Sequence, residues 1–329
     1  VYKRQRLHHT SGHPTAGAGF EYRKGAVMNI NRIIRYLPVL LIALCAISAQ
    51  AQSQSPPSPP YYLGSELSLQ YGFQSESGRT DYEGGHIPSA GFADLLGDLV
   101  DGDSSLKFAV PTPEHFCAAM GALGVGDDSR VVLYDGFNSV WAARVWWMLR
   151  WVGFDQAAVL DGGLGAWTAE ERPLSTEPAG REARELTPAV RPKLIAHRDE
   201  VLAAIEDDAI SIIDVMPEPH FRGDMVMYDR PGHIPSATNI SSMSLFDDSG
   251  RFRTHEELAD MFAGDRQARF ITYCGAGVAA SASALVMSRL GFSDVAVYMG
   301  SLQEWAADPS NPMVVSGAEV PDPAPGARD

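Results

Sequence analysis

One turn sequence occurs twice in this chain, and it brings a whole pattern with it. Gly85-His86-Ile87-Pro88-Ser89-Ala90 recurs as Gly232-His233-Ile234-Pro235-Ser236-Ala237. The apolar run Val131-Val132-Leu133-Tyr134-Asp135 then matches Phe270-Ile271-Thr272-Tyr273-Cys274. Each run leads into a helical stretch that stops at Gly-Phe, Gly153-Phe154 and Gly291-Phe292, glycine being the usual residue just past a helix end. A short apolar run, a glycine turn and a tryptophan, Trp167 or Trp305, follow in both halves. The offset is 147 residues at the turn, 139 at the apolar run and 138 at the tryptophans. So small a drift is what loop changes in a duplicated domain produce.

Each half alternates short apolar runs with helical patterns. In the second half a helix is predicted over 197–206, a strand over 210–215, a helix over 254–262, and strands over 270–273 and 295–298. Buried strands separated by helices specify an α/β fold, each half being a mainly parallel sheet with helices on both faces. Ligand sites of such sheets lie at the carboxyl ends of the strands. Cys274 is at such an end, and Asp135 holds the same place in the first half.

The rest of the chain divides around these halves. Residues 1–27 carry no fold signal, and Met28 reads as a start. Arg32 and Arg35, the apolar stretch 37–47 and Ala49-Gln50-Ala51 make residues 28–51 a secretory signal peptide cut after Ala51, which places the protein in the periplasm or outside the cell, without stable membrane insertion. A Pro/Ser-rich linker is expected over 52–64, domain one over 65–176, an inter-domain linker over 177–192, domain two over 193–317 and a disordered tail over 318–329. The opening of domain one at 67–71 leaves little room for a first strand and helix.

The net charge of −15 and the lack of a basic stripe exclude nucleic acid as a partner. No clustered His/Cys spacing implies a metal, and no cofactor is expected. Past Ala51 only Cys117 and Cys274 remain. Cys117 sits beside Phe116 and Met120 in a helical pattern and reads as core. Cys274 instead precedes Gly275-Ala276-Gly277-Val278-Ala279 and a helix start. The first N–H groups of a helix lack intrahelical partners and favour anions, so a thiol there is expected to ionise readily and act as a nucleophile.

The paired GHIP turns, Tyr134-Asp135 with Ala143-Arg144-Val145-Trp146-Trp147, Leu160-Asp161-Gly162-Gly163, Cys274-Gly275-Ala276-Gly277-Val278 and Glu304-Trp305 together resemble the two-domain rhodanese-type sulfurtransferases over roughly residues 82–312. The resemblance implies two tandem rhodanese-like domains, the second catalytic. In it Cys274 takes a sulfane sulfur as a persulfide from a small anionic donor and passes it to a thiol or cyanide, possible acceptors including a thioredoxin-like protein. The loop Gly275–Ala279 would bind the donor. It is similar to the C-G-S-G-V-T loop of 3-mercaptopyruvate sulfurtransferases, with Ala276 for the serine and Ala279 for the threonine. That favours 3-mercaptopyruvate, with a thiosulfate:cyanide sulfurtransferase or a non-catalytic rhodanese-fold binding protein as alternatives. The family's clamp arginine is replaced by His220 in His220-Phe221-Arg222-Gly223. Arg222, Arg230 or a protonated His220 is left to hold the donor anion, unless these are surface residues. Asp214 is placed to orient an arginine. Cysteine phosphatases need C-x5-R, and the sixth residue after Cys274 is Ala280.

Overall fold

The computed structural model describes residues 61–64, 78–136 and 138–316, all within the compact unit 58–329. The expected signal peptide and tail lie outside the described residues.

The first half forms a parallel sheet of β1 (Tyr61–Gly64), β2 (Gly91–Phe92), β3 (Val131–Tyr134) and β4 (Ala157–Val159), in the order β2-β1-β3-β4. Around it run α1 (Arg79–Gly84), α2 (Pro113–Ala122), α3 (Val140–Trp151) and α4 (Gly163–Ala169). The second sheet holds β5 (Ile195–Ala196), β6 (Ile210–Asp214), β7 (Thr238–Asn239), β8 (Arg269–Tyr273) and β9 (Asp294–Tyr298), in the parallel order β5-β9-β8-β6-β7. Its helices are α5 (Arg198–Ala204), α6 (Glu218–Arg222), α7 (His255–Met261), α8 (Val278–Arg289) and α9 (Ser301–Trp305). Parallel strands cannot be joined by tight turns, which is why helices alternate with them and cover the sheet faces. The predicted elements of domain two are all present, to within one or two residues at their ends. The capping box of Thr254 and Glu257 fixes the start of α7.

The duplication extends to single hydrogen bonds. Tyr134 and Tyr273 each accept, on the hydroxyl, the backbone N–H of the GHIP isoleucine, Ile87 at 3.2 Å and Ile234 at 3.0 Å. Trp167 and Trp305 each donate their indole N–H to a proline carbonyl, Pro173 and Pro312, at 2.9 Å. His86 and His233 are buried and tie their turns to carbonyls, His86 Nδ1 with Tyr82 at 2.8 Å and His233 Nδ1 with Phe221 at 2.7 Å. Both histidines thus have a structural role in their turns.

One boundary differs from the sequence reading. Tyr61–Gly64 is not linker: it is the inner strand β1, paired with both β2 and β3. Four residues between a proline run and a glycine carry too few positions for a period to show. The opening of domain one at 67–71 lies outside the described residues. The inter-domain segment is bonded along domain one. Leu186 is buried, Arg184 N–H donates to Gly121 O at 2.9 Å, Thr187 N–H to Asp127 at 2.7 Å and Ala189 N–H to Val152 O at 2.7 Å. The domains meet along α3 and α8, which pack directly on each other.

Candidate active site

Cys274 follows β8, the central strand of the second sheet, and lies 3% exposed at its carboxyl end. Gly277, at φ +76°, turns the chain into α8. The carbonyls of the loop are already used: Leu302 N–H donates to Cys274 O and Gln303 N–H to Gly275 O, both at 3.0 Å. The start of α9 therefore holds the loop from behind. The N–H of Cys274 donates to Ser301 Oγ at 3.2 Å, and that hydroxyl donates to Tyr298 O at 2.7 Å. By contrast, the N–H groups of Gly275, Ala276, Gly277, Val278 and Ala279 have no acceptor among the described residues. A loop with the carbonyls of Cys274, Gly275 and Gly277 bonded and its N–H groups turned to no protein acceptor at a helix start is an anion-binding concavity.

Domain one shows what fills such a concavity. Asp135, in the place of Cys274, accepts Ser139 N–H at 3.0 Å and Ala142 N–H at 2.8 Å on its two carboxylate oxygens. There the anion is built into the chain. The backbone behind it is the same: Gly163 has φ +52° and Ser301 φ +51°, and Leu164 N–H bonds Asp135 O as Leu302 N–H bonds Cys274 O. Domain two tolerates a serine in this left-handed conformation, which costs a side chain strain, and uses its hydroxyl to hold the cysteine N–H.

Two groups distant in sequence face the cysteine loop. Arg144 of α3 is 1% exposed; it donates to Phe108 O within domain one at 2.8 Å and reaches across to Gly277 O at 3.4 Å and to Met299 Sδ. It has no carboxylate partner among the described residues, and its Nε has no acceptor. Burial lowers the guanidinium pKa to about 10, and attraction to the Cys274 sulfur opposes that fall. Tyr228 is the second group at the loop. Its hydroxyl lies so close over Gly275 that a side chain there would have to displace it. Burial, and then the Cys274 charge, hold the phenol well above its ordinary pKa.

This chain matches the Rhodanese-like domain family over residues 76–170 and 197–308. It is 34% identical over 234 residues to 3-mercaptopyruvate sulfurtransferase of Escherichia coli K12, across 69% of this chain and 82% of the relative. It is 35% identical to thiosulfate/3-mercaptopyruvate sulfurtransferase 2 of Arabidopsis thaliana, across 72% and 77%. Against thiosulfate sulfurtransferase of Rattus norvegicus the identity is 32%, across 69% and 79%. The chain belongs to the rhodanese-type sulfurtransferases. The crystal structure of SseA from Escherichia coli superposes with a TM-score of 0.66 at 31% identity, covering 73% of this chain and 92% of that one. EanB, at 21% identity and a TM-score of 0.68, shares the fold.

Within this sulfurtransferase the expected clamp residues are placed unequally. Arg230 is not available to a donor: its guanidinium donates to Ala306 O at 2.9 Å, Asn311 O at 2.8 Å, Trp305 O at 2.9 Å and Asp308 O at 2.7 Å. It fastens the chain after α9, a role no local sequence pattern announces, because its partners lie 75 to 81 residues away. Arg222 is exposed and shared between Glu218 at 3.8 Å and Asp224 at 3.1 Å. His220 is half-buried on the short helix α6. The expectation for Asp214 is also corrected. Its carboxylate is fully buried, accepts Met216 N–H at 2.7 Å and meets no arginine among the described residues. Sequence reasoning missed Tyr228 and Ser301. The only local signal for Tyr228 is a lone phenol beside Met225, Val226 and Met227, which are exposed.

Asp214 carries a stability prediction. Burial pushes its carboxyl up to about 6 from 3.8, against the opposing pull of Tyr273 and Met216. The folded state thus holds this proton more tightly than the unfolded one. Its contribution is full below pH 3.8, is lost as pH rises toward 6, and stays lost above. Asp214→Asn removes the buried charge and is expected to stabilise the protein at pH 7, by at most about 3 kcal/mol, with no gain at pH 4. Urea unfolding at the two pH values checks it; an equal effect at both would contradict it.

Proposed function

We propose that this sulfurtransferase takes a sulfane sulfur from 3-mercaptopyruvate onto Cys274 and hands it to a thiol or to cyanide. The observation that supports this most is the concavity of free N–H groups at Cys274, in the place where domain one carries the Asp135 carboxylate. In the first half-reaction the Cys274 thiolate attacks the donor sulfur. The S–S bond forms, the donor C–S bond breaks, and its electron pair leaves as the enolate of pyruvate, which takes a proton. Loop N–H groups and the Arg144 charge stabilise the sulfur anion. In the second half-reaction an acceptor nucleophile attacks the outer sulfur and Cys274 leaves as thiolate.

The donor preference rests on charge. The buried Arg144 supplies one positive charge beside the loop, while Arg230 is committed to carbonyls and Arg222 is shared by two carboxylates, so no cation is left over for a second negative charge on the donor. A dianion such as thiosulfate gains little there, and the monoanionic mercaptopyruvate loses less on desolvation. Steady-state kcat/KM with cyanide and with a dithiol acceptor is expected to be higher for 3-mercaptopyruvate; equal or better rates with thiosulfate would reverse the assignment. A thioredoxin-like protein suits the thiol acceptor, since a protein exported after cleavage at Ala51 would need a reductant or nucleophile in its own compartment to turn over.

A further inference from the structure

The hydroxyl of Tyr228 is the unexplained polar group of this site. It is shut away from solvent and has no hydrogen-bond partner among the described residues. A buried hydroxyl without a partner is a cost that native structures rarely carry without a use. The group is not lost in the core either. It lies directly over Gly275, the residue after the cysteine, and it interacts with the charge on Cys274. The loop that carries it leaves Met225, Val226 and Met227 exposed and turns the tyrosine inward.

We propose that Tyr228 is a catalytic residue of the sulfur transfer, its hydroxyl donating a hydrogen bond to the outer sulfur bound on Cys274. This rests on the reading of Cys274 as the sulfur carrier. Before loading, the hydroxyl lacks a partner; when the donor's C–S bond breaks and the new S–S bond forms, the transferred sulfur brings an acceptor into the loop beside it. Tyr228 gives up no proton in this step. The electron pair of the C–S bond leaves with the enolate, which is protonated by water, and the phenol stays neutral throughout. Burial and the negative sulfur both favour the protonated phenol, so the group remains a donor over the whole working range. A neutral donor in this place supports one negative charge on the sulfur and adds no cation for a second charge on the donor. The same contact gives glycine at 275 a use, because a side chain there would displace the hydroxyl from the loop.

Tyr228→Phe separates this role from mere packing, since the ring stays over Gly275 and only the donor is removed. Single-turnover loading with 3-mercaptopyruvate is the measurement, read as sulfur bound per chain by intact mass against time. The loading rate constant is expected to fall by about 10- to 100-fold, the scale of one hydrogen bond to a charged group. The donor KM should be nearly unchanged, and the end point should still be one sulfur per chain. A phenylalanine variant that is folded and loads at the wild-type rate overturns the proposal while leaving Cys274 as the carrier. A wild-type protein that takes up no sulfur overturns both.

Discussion

Cys274→Ser is expected to lower sulfur transfer by at least about three orders of magnitude while leaving the fold intact. The reason is chemical rather than steric. Serine keeps nearly the same shape, but its hydroxyl ionises far less readily and an alcohol forms no persulfide. The surroundings accept the change: the main-chain carbonyls of the loop stay bonded to Leu302 and Gln303, the Cys274 N–H stays on Ser301, and the free loop N–H groups can donate to the new hydroxyl. Stability is therefore expected to change by about 1 kcal/mol or less. Turnover with 3-mercaptopyruvate and cyanide, with thermal unfolding alongside, checks both halves. A folded serine variant that still transfers sulfur would place the chemistry on another residue. Cys117 is a poor candidate for it. It is buried in α2, and burial with the nearby Glu114 and Asp127 pushes its thiol up to about 11.

The second large effect is expected at Arg144. This cation is fully buried, crosses from domain one to the N-terminal turn of α8, and has only neutral acceptors among the described residues. A buried charge so placed is tolerated at a cost to the fold. The cost is offset when negative charge appears on Cys274, with which it interacts. Arg144→Met keeps the volume and removes the charge. Loading of sulfur is expected to fall by about 10- to 100-fold, corresponding to about 1.5–3 kcal/mol of charge-assisted interaction. Arg144→Lys, which keeps the charge but not the fork that spans Phe108 and Gly277, should fall between the two. Rapid-quench loading rates decide this. A folded methionine variant that loads at the wild-type rate would show that domain one lends shape to the site and no charge.

How much of this was legible in the sequence depends on the range of the contacts. The duplicated α/β fold was legible because its signals are local: a GHIP turn, an apolar run and a glycine stop each fall within a few residues, and each occurs twice. The cysteine loop was legible for the same reason, since Gly275 and Gly277 flank it directly. Strand β1 was not, because Tyr61–Gly64 is too short to show alternation and follows a proline run. The partners of the loop were hidden by distance. Arg144 bonds Gly277 across 133 residues, and Tyr228 meets Gly275 only once β6 and β8 are side by side. Arg230, one of three candidates for the anion clamp, has carbonyl partners from the turn after α9 that no local pattern announces. Ser301 looked ordinary in sequence. Its importance comes from a left-handed backbone shared with Gly163, which no residue pattern displays.

The central claim is that sulfur travels on Cys274. The direct measurement is to incubate the full chain with 3-mercaptopyruvate in the absence of acceptor, trap persulfides by alkylation, digest, and map the added sulfur by mass. The account predicts one sulfur atom on the peptide that contains Cys274, none on that of Cys117, and its complete loss when cyanide is added. No added sulfur, or sulfur on Cys117 with Cys274 unmodified, would contradict it.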